Sequence, residues 1–393
     1  VKAQTRTELR PGWRVVRFDA MAENVNDRVD DPAEAGVEYY VGLEHLEPES
    51  LKIRRWGKPT DVEATKLRFK PGDIIFGRRR AYQRKLAVAE FEGICSAHAM
   101  VLRAREQVVL PEFLPFFMQS DIFFERAMSI SVGSLSPTIN WKALAAQEFA
   151  LPPRDEQRRI AEILWAIDAV AETDLSIAEA LGQAINAVLH EKFSQNSIVK
   201  LRLADVCESD GIQIGPFGSQ LHASDYVTEG IPVVMPSDMS IDDIVVDSIA
   251  MVDSRIAARL SLHKVKSEDI LLPRRGDLTK RAFVRKDQEG WLCGTGSIRV
   301  RVKKGLSSRA VFFALSTPET NAWLADNAVG TTMPNLNTKI VSNIPIGLPS
   351  ENEAELIVQL IEDLRNALAL NTSKSGQRHL LKKRLLEKLL GAL

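Results

Sequence analysis

The chain has 393 residues, 45% of them hydrophobic and 26% charged, with a formal net charge of −1. That length and balance predict two to three ordinary globular domains and exclude a low-complexity or uniformly basic nucleic-acid binder. No apolar run approaches the roughly 18–20 residues of a membrane span, the first ten residues lack a signal-peptide core, and Cys95, Cys207 and Cys293 lack metal-ligand spacing, so a cytoplasmic location without a membrane partner is expected.

In chain order, residues 13–110 read as mainly strand. Trp13–Phe18, Glu38–Leu43, Asp73–Phe76, Leu86–Ala89 and Ala99–Leu102 are short apolar or alternating runs, punctuated by turn formers such as Lys70-Pro71-Gly72-Asp73. Glu112–Ile130 reads as a helix whose buried face carries Phe113, Phe116, Phe117, Ile122 and Phe123. A polar loop, Gly133–Asn140, leads on to Leu151-Pro152-Pro153. Beyond those prolines, Asp155 and Glu156 place negative charge in a first helical turn. Ile160, Ile163, Leu164, Ile167, Val170, Leu181, Ile185, Val188 and Leu189 then recur at helical spacing. A helix of that extent would be about 60 Å long, more than a domain needs, and reads as a strut. Residues 154–195 carry 4 basic against 8 acidic side chains.

The same layout returns about two hundred residues later. Lys200–Val206 answers Arg14–Ala20, and Asp269–Arg275 answers Asp73–Arg79. Cys293 falls near the place of Cys95, and the helical stretch Ala310–Ala328 takes the place of the earlier one. Gly330–Asn337 matches Gly133–Asn140 in its Gly, Pro and final Asn at an offset of 197, and Glu353 and Ile357 match Glu156 and Ile160 at the same offset. The chain is thus a tandem duplication. Its expected fold class is α+β: two mixed α/β domains, 1–153 and 196–350, separated by two long helices, 154–195 and 351–393, in a pseudo-twofold repeat. The second helix carries poor helix formers at Asn371–Gly376, so a kink or two successive helices are both open. Its end is basic (Arg378, Lys382, Lys383, Arg384, Lys388) where the first helix is acidic. Packed together, the two would form an antiparallel coiled coil with one apolar seam.

Two features recur in both copies and point to a ligand. Arg78, Arg79, Arg80, Arg84 and Lys85 follow one strand, and Arg274, Arg275, Lys280 and Arg281, with Arg285 and Lys286, follow its counterpart. Guanidinium forks suit phosphate oxygens or the O6/N7 edge of guanine. A solvated hairpin would also explain one such cluster, but its recurrence favours DNA contact. The polar loops offer Ser134, Thr331 and Thr332 as donors to phosphate or base; equally, Gly133, Pro137 and Asn140 could set a turn that docks the globule on its helix. Gly215-Pro216-Phe217-Gly218-Ser219-Gln220-Leu221 occurs in the second copy only, and its glycines permit close backbone approach to a ligand. It lacks nucleotide-binding spacing. Trp56, flanked by Arg54, Arg55 and Lys58, is the one tryptophan that reads as a candidate contact. The six histidines form no metal-binding pattern.

No P-loop, no Asn/Asp-Pro-Pro-Tyr/Phe methyltransferase tetrapeptide and no Asp/Glu-x-Lys nuclease element occurs, which disfavours an enzyme. With the repeat and the run Leu151-Pro-Pro-Arg-Asp-Glu-Gln-Arg-Arg-Ile-Ala161 in view, the chain resembles the specificity subunit of type I restriction–modification systems over nearly its whole length. The second helix departs from that run, reading Pro-Ser-Glu-Asn-Glu-Ala-Glu-Leu. The resemblance implies two target-recognition domains that each read half of a split double-stranded DNA target, with the helices fixing the gap. It implies two adenine-methyltransferase partners that bind S-adenosylmethionine, and restriction subunits that use ATP and magnesium. This chain itself would be non-catalytic and hold no cofactor or metal. The rival expectation is a non-enzymatic adaptor or DNA mimic built from a duplicated domain.

Overall fold

The computed structural model describes residues 9–194, 200–330 and 334–390. It divides into two compact units. One holds the residues up to Leu175 together with those from Ser373 onward, and the other spans Ser176–Thr372. Each unit therefore owns a globule, half of one long helix and half of the other.

In the first unit, Arg14–Arg17 pairs antiparallel with Glu148–Leu151, closing the ends of the globule on each other. A four-stranded antiparallel sheet runs in the order Ala22–Val25, Ala99–Ala104, Ile74–Gly77, Leu86–Val88. A second sheet runs in the order Arg28–Val29, Lys66–Phe69, Gly93–Ser96, Tyr39–Val41, with its last pair parallel. The second unit repeats the first two features: Lys200–Arg202 with Pro345–Gly347, then Cys207–Ile214, Ser297–Val302, Ile270–Pro273, Ala282–Phe283. Its other sheet keeps a parallel pair, Ile231–Val234 with Leu292–Cys293, but the next strand, Ala250–Val252, joins the opposite member of that pair. The duplication is thus strict in the sheet that leads to the arginines and relaxed in the other.

Buried polar groups show why the strict part is strict. The Lys70–Asp73 turn ends in Asp73, 1% exposed, which accepts from the Lys70 amide at 2.9 Å and grips Arg103 through two bonds of 2.7 and 2.9 Å. Asp269, also 1% exposed, does the same with the Lys266 amide at 2.8 Å and with Arg301 at 2.8 and 2.7 Å. A buried carboxylate needs such a set of donors, because losing any one leaves a charge uncompensated. Burial also pushes the thiols up, to about 12 for Cys207 and Cys293 and higher still for Cys95, so all three are inert core groups.

The predicted helix over 112–130 is in fact two, Leu114–Gln119 and Asp121–Ser129, and that over 310–328 is also two, Ser308–Leu315 and Pro318–Asn327. Ser120 and Thr317 divide them at equivalent places. Both are extended (ψ 153° and 149°), and the side chain of each caps the following helix. Apolar periodicity alone did not register these breaks, because the phenylalanines on either side enter one core.

The central helix is Arg154–Phe193 and the second long helix is Glu351–Leu390, 40 residues each. The second runs unbroken through Asn371–Gly376: poor helix formers cost only about 0.5–1 kcal/mol each, and both flanks are held by packing. In the first unit, Ile160, Ala161 and Leu164 of the central helix share a core with Leu390 and the phenylalanine cluster, and Leu385, Leu386 and Leu389 pack against it. Lys382 reaches Asp168 at 2.7 Å and Arg378 pairs with Asp174, so numbers rise along one helix as they fall along the other and the packing is antiparallel. Opposite charge does join them, though the joining pairs are more enclosed than surface pairs: Lys382 is 8% exposed and lies 5.2 Å from the centre of the Phe116 ring. In the second unit, Ile185, Leu189 and Phe193 share a core with Ala354, Ile357 and Ile361. There Arg365, drawn down to about 10 by burial, pairs with Asp242 and lies 4.7 Å from the Phe313 ring.

Candidate nucleic-acid interface

The strand Ile74–Gly77 ends in Arg78-Arg79-Arg80, and the backbone of that triplet is not free. Ile139 donates its amide to the Arg78 carbonyl at 3.0 Å, Arg80 donates to the Pro137 carbonyl at 2.8 Å, and Arg79 donates to the His98 carbonyl at 3.3 Å. Val132 and Thr138 exchange bonds of 3.0 and 2.9 Å, which closes the polar loop into a small hairpin with Ser134 and Leu135 exposed at its tip. Gly133 makes this turn at φ 109°, a conformation an L side chain rarely adopts. The arginine segment is thereby laid along the polar loop.

The second unit repeats the device. Leu336 donates to the Arg274 carbonyl at 2.7 Å, Arg275 bridges Asn335, and Val329 and Asn335 exchange bonds of 3.0 and 2.9 Å. Gly330 turns at φ 108°. Thr331 and Thr332 lie outside the described residues. Two stretches more than fifty residues apart in sequence are therefore joined in each unit. The loop fixes the arginines, and its last residue is structural: the Asn337 side chain caps the next helix by accepting from Ile340 at 2.9 Å.

The side chains divide into exposed and committed groups. Arg80 and Arg275 are exposed; Arg78, Arg79, Arg274 and Lys280 are half-buried. Arg78 donates to the Ala97 carbonyl at 3.0 Å, and Arg79 sits 3.1 Å from Nε2 of His98. Partial burial, then the charges of Arg79 and Arg78, hold the His98 imidazole below its ordinary pKa, so it is neutral at pH 7 and keeps the patch from gaining charge. Arg84, by contrast, pairs with Asp121 at 2.5 Å and covers Phe124, and Lys85 donates to the Leu43 carbonyl at 2.7 Å. Arg281 is 1% exposed, donates to the Thr279 carbonyl and Asn321, and is drawn down to about 10 by burial against the pull of Asp277.

Two residues near the arginines carried no signal of their own in the sequence. His98 was one of six scattered histidines. Phe217 stood in a loop singled out for its glycines, yet the ring itself lies 5.7 Å from the Arg274 guanidinium. Trp56 is 49% exposed but stands edge-on to Tyr39 and Phe91, 5.3 and 5.7 Å away, away from the arginine segment in sequence and sheet. Among the described residues, no group of three or more histidine, cysteine or acidic side chains could hold a metal, and no helix is long and apolar enough to cross a membrane.

The helix-opening run also acquires a physical role. Glu156 accepts from the Trp13 indole at 3.0 Å. Gln157, 1% exposed, accepts from the Leu110 amide at 2.9 Å and donates to the Pro152 carbonyl at 2.8 Å. These two residues dock the first globule on its helix. At the matching place in the second unit Ala354 replaces the glutamine, and Glu353 bonds Ser350 instead.

A family described as the type I restriction modification DNA specificity domain matches residues 59–179 and 199–377. Among curated proteins, the type I restriction enzyme EcoDI specificity subunit of Escherichia coli is 25% identical over 177 residues, 44% of this chain and 39% of that protein. The putative type I restriction enzyme MjaX specificity subunit of Methanocaldococcus jannaschii is 25% identical over 203 residues, 48% of this chain and 45% of that one. The matched stretches thus span less than half of either relative. Among solved structures, the type I restriction–modification S subunit from M. genitalium superposes with a TM-score of 0.63 at 14% identity, covering 100% of this chain and 99% of that one. A chain from a structure concerned with the assembly and conformational transition of the type I R-M system gives 0.57 at 19% identity over 98% and 99%. At these identities the likeness is one of fold.

Proposed function

We propose, from the premise that the chain belongs to the type I restriction–modification DNA specificity family, that it is the non-catalytic DNA-recognition subunit of such a system. Each globule, 1–153 and 196–350, reads one half of a split double-stranded target. The observation that carries the reading is the duplicated juxtaposition of an arginine segment with a Gly-Pro-Asn loop. In this reading Arg78, Arg79, Arg80 and Ser134 contact one half-site and Arg274, Arg275 and Lys280 the other, with Thr331 and Thr332, outside the described residues, as further candidates for the second. Arg84, Lys85 and Arg281 are instead committed to the partners named above. The helices Arg154–Phe193 and Glu351–Leu390 fix the unread gap and seat two adenine-methyltransferase subunits, which bring S-adenosylmethionine. Restriction subunits, with ATP and magnesium, join that assembly. The chain itself supplies position rather than chemistry.

The test is band shift of the assembled methyltransferase complex on target and random duplexes across a salt series. Replacing Arg274 and Arg275 by alanine should weaken binding at least tenfold. If they touch bases, the loss falls on one half-site; if they touch phosphates, it is uniform and the salt slope drops by about 1 per contact removed. Unchanged affinity, salt slope and specificity would remove these residues from the interface.

A further inference from the structure

The second unit carries, beside its arginines, a loop that the first unit lacks. The strand Cys207–Ile214 is eight residues long where its counterpart Ala22–Val25 is four, and it delivers the chain into Gly215-Pro216-Phe217-Gly218. That loop is pinned at both ends. The Gly215 amide donates to the Ser297 carbonyl at 2.9 Å, and a side chain at Gly215 would run into the Gly294 carbonyl. The Thr295 hydroxyl donates to the Pro216 carbonyl at 2.9 Å. The Phe217 amide donates to the Gln220 side chain at 3.1 Å, while the amides of Gln220 and Leu221 return to the Phe217 carbonyl at 2.8 and 3.2 Å. Leu221 is then buried with Val233, Val252 and Leu292.

The result is a fixed backbone presenting an aromatic ring that is 55% exposed. Over one part of that ring lies Arg274, whose backbone is held by Gly296 and Leu336. Its Nε is enclosed without a partner, and among the described residues its guanidinium makes no hydrogen bond or ion pair. A guanidinium held over an aromatic ring loses less freedom when its fork engages a ligand. The first unit solves the same place differently, with Arg78 tied to the Ala97 carbonyl and Arg79 against His98.

We propose that Phe217 is a specificity-determining residue of the second unit: it orients the Arg274 fork toward a guanine edge in the major groove and packs its remaining exposed surface on the neighbouring base, where a thymine methyl is the apolar group available. Phe217 and Arg274 then act as one reading unit, and the two half-sites are read by different chemistry. This inference rests on the recognition-subunit reading.

The test is methylome sequencing of a host that lacks the native system and expresses the whole complex, comparing wild type with Phe217→Ala, Phe217→Leu and Arg274→Lys. The expected result is at least a tenfold loss of methylation at the native target for Phe217→Ala and Arg274→Lys. Degeneracy should appear at the same one or two positions of one half-site for both, with partial rescue by leucine. The other half-site should be unchanged, as should melting of the complex, since the ring is exposed. An unaltered motif and rate for Phe217→Ala would overturn the inference. So would an equal loss on all sequences, or failure of the variant to join its partners, which would place the ring on DNA backbone or on protein. A wild-type complex that modifies no two-part motif would instead overturn the underlying reading.

Discussion

At the scale of the residue, the informative positions are those where burial forces a polar group to find partners. Gln157 is the clearest. Its amide serves Leu110 and Pro152 while almost wholly enclosed, so Gln157→Leu removes two bonds and strands their backbone partners. The expected cost is about 2–3 kcal/mol, seen as a fall of about 5–10 °C in the melting of the first unit; a variant melting as wild type would show that water replaces the side chain. Ala354, its counterpart, should tolerate other small residues. The sequence made Gln157 visible as part of a run but gave no hint of its role, because its partners lie 47 and 5 residues away. The arginines were legible as a repeated cluster. Their division into exposed and committed side chains was not, since Arg80 and Arg281 differ by the globule packed around them rather than by their neighbours in sequence.

At the scale of the element, the paired long helices were readable from apolar spacing and charge, and both form. The strength of their joining depended on burial, which spacing cannot show. Asp168 is held above its ordinary range, because burial outweighs the pull of Lys382. Lys382→Met therefore leaves an enclosed carboxylate without its cation, at a cost of about 3–5 kcal/mol near pH 7. The double change Asp168→Leu with Lys382→Met should recover most of that loss. The sign with pH follows. In Lys382→Met the folded-state pKa of Asp168 lies further above its unfolded value, so the penalty grows as pH rises through that range and fades as the carboxyl is protonated. Denaturant titrations at pH 5 and 7 would check it. A single variant as stable as wild type at both values would show that the pair is solvated. The divided helices at Ser120 and Thr317 went unread for the opposite reason: capping hydroxyls are common, and only the turn of the backbone makes these two decisive.

At the scale of the whole molecule, the duplication is the dominant fact, and it was legible from the offset of 197 alone. Where the copies diverge, in the second sheet of each unit and in the loop at Phe217, one sequence without its fold could not say which differences matter. If the helices fix the gap between half-sites, lengthening them together should lengthen it. Seven residues, two turns that nearly preserve the facing surface, add about 10.5 Å. Placed in both Ala171–Ala184 and Asn371–Gly376, they should widen the unread spacer by about three base pairs, given about 3.4 Å per pair. Methylome sequencing reads the spacer directly, and an unchanged spacer would remove the ruler from the proposal.

The ownership of the second long helix has a consequence for synthesis. The stretch from Ser373 on belongs to the first unit. There Leu390 enters its phenylalanine core, and Arg10 donates to the Lys388 and Leu389 carbonyls at 3.2 and 3.0 Å. These residues leave the ribosome some two hundred positions after Leu175, a delay of about 10–40 s at 5–20 residues per second. Through that interval the C-terminal helical segment that shares a core with Ile160, Leu164 and Phe116 is not yet there to cover them. The second globule, whose helical segments both fall within Ser176–Thr372, waits only for its own length. The half that is made first is thus the half that is finished last.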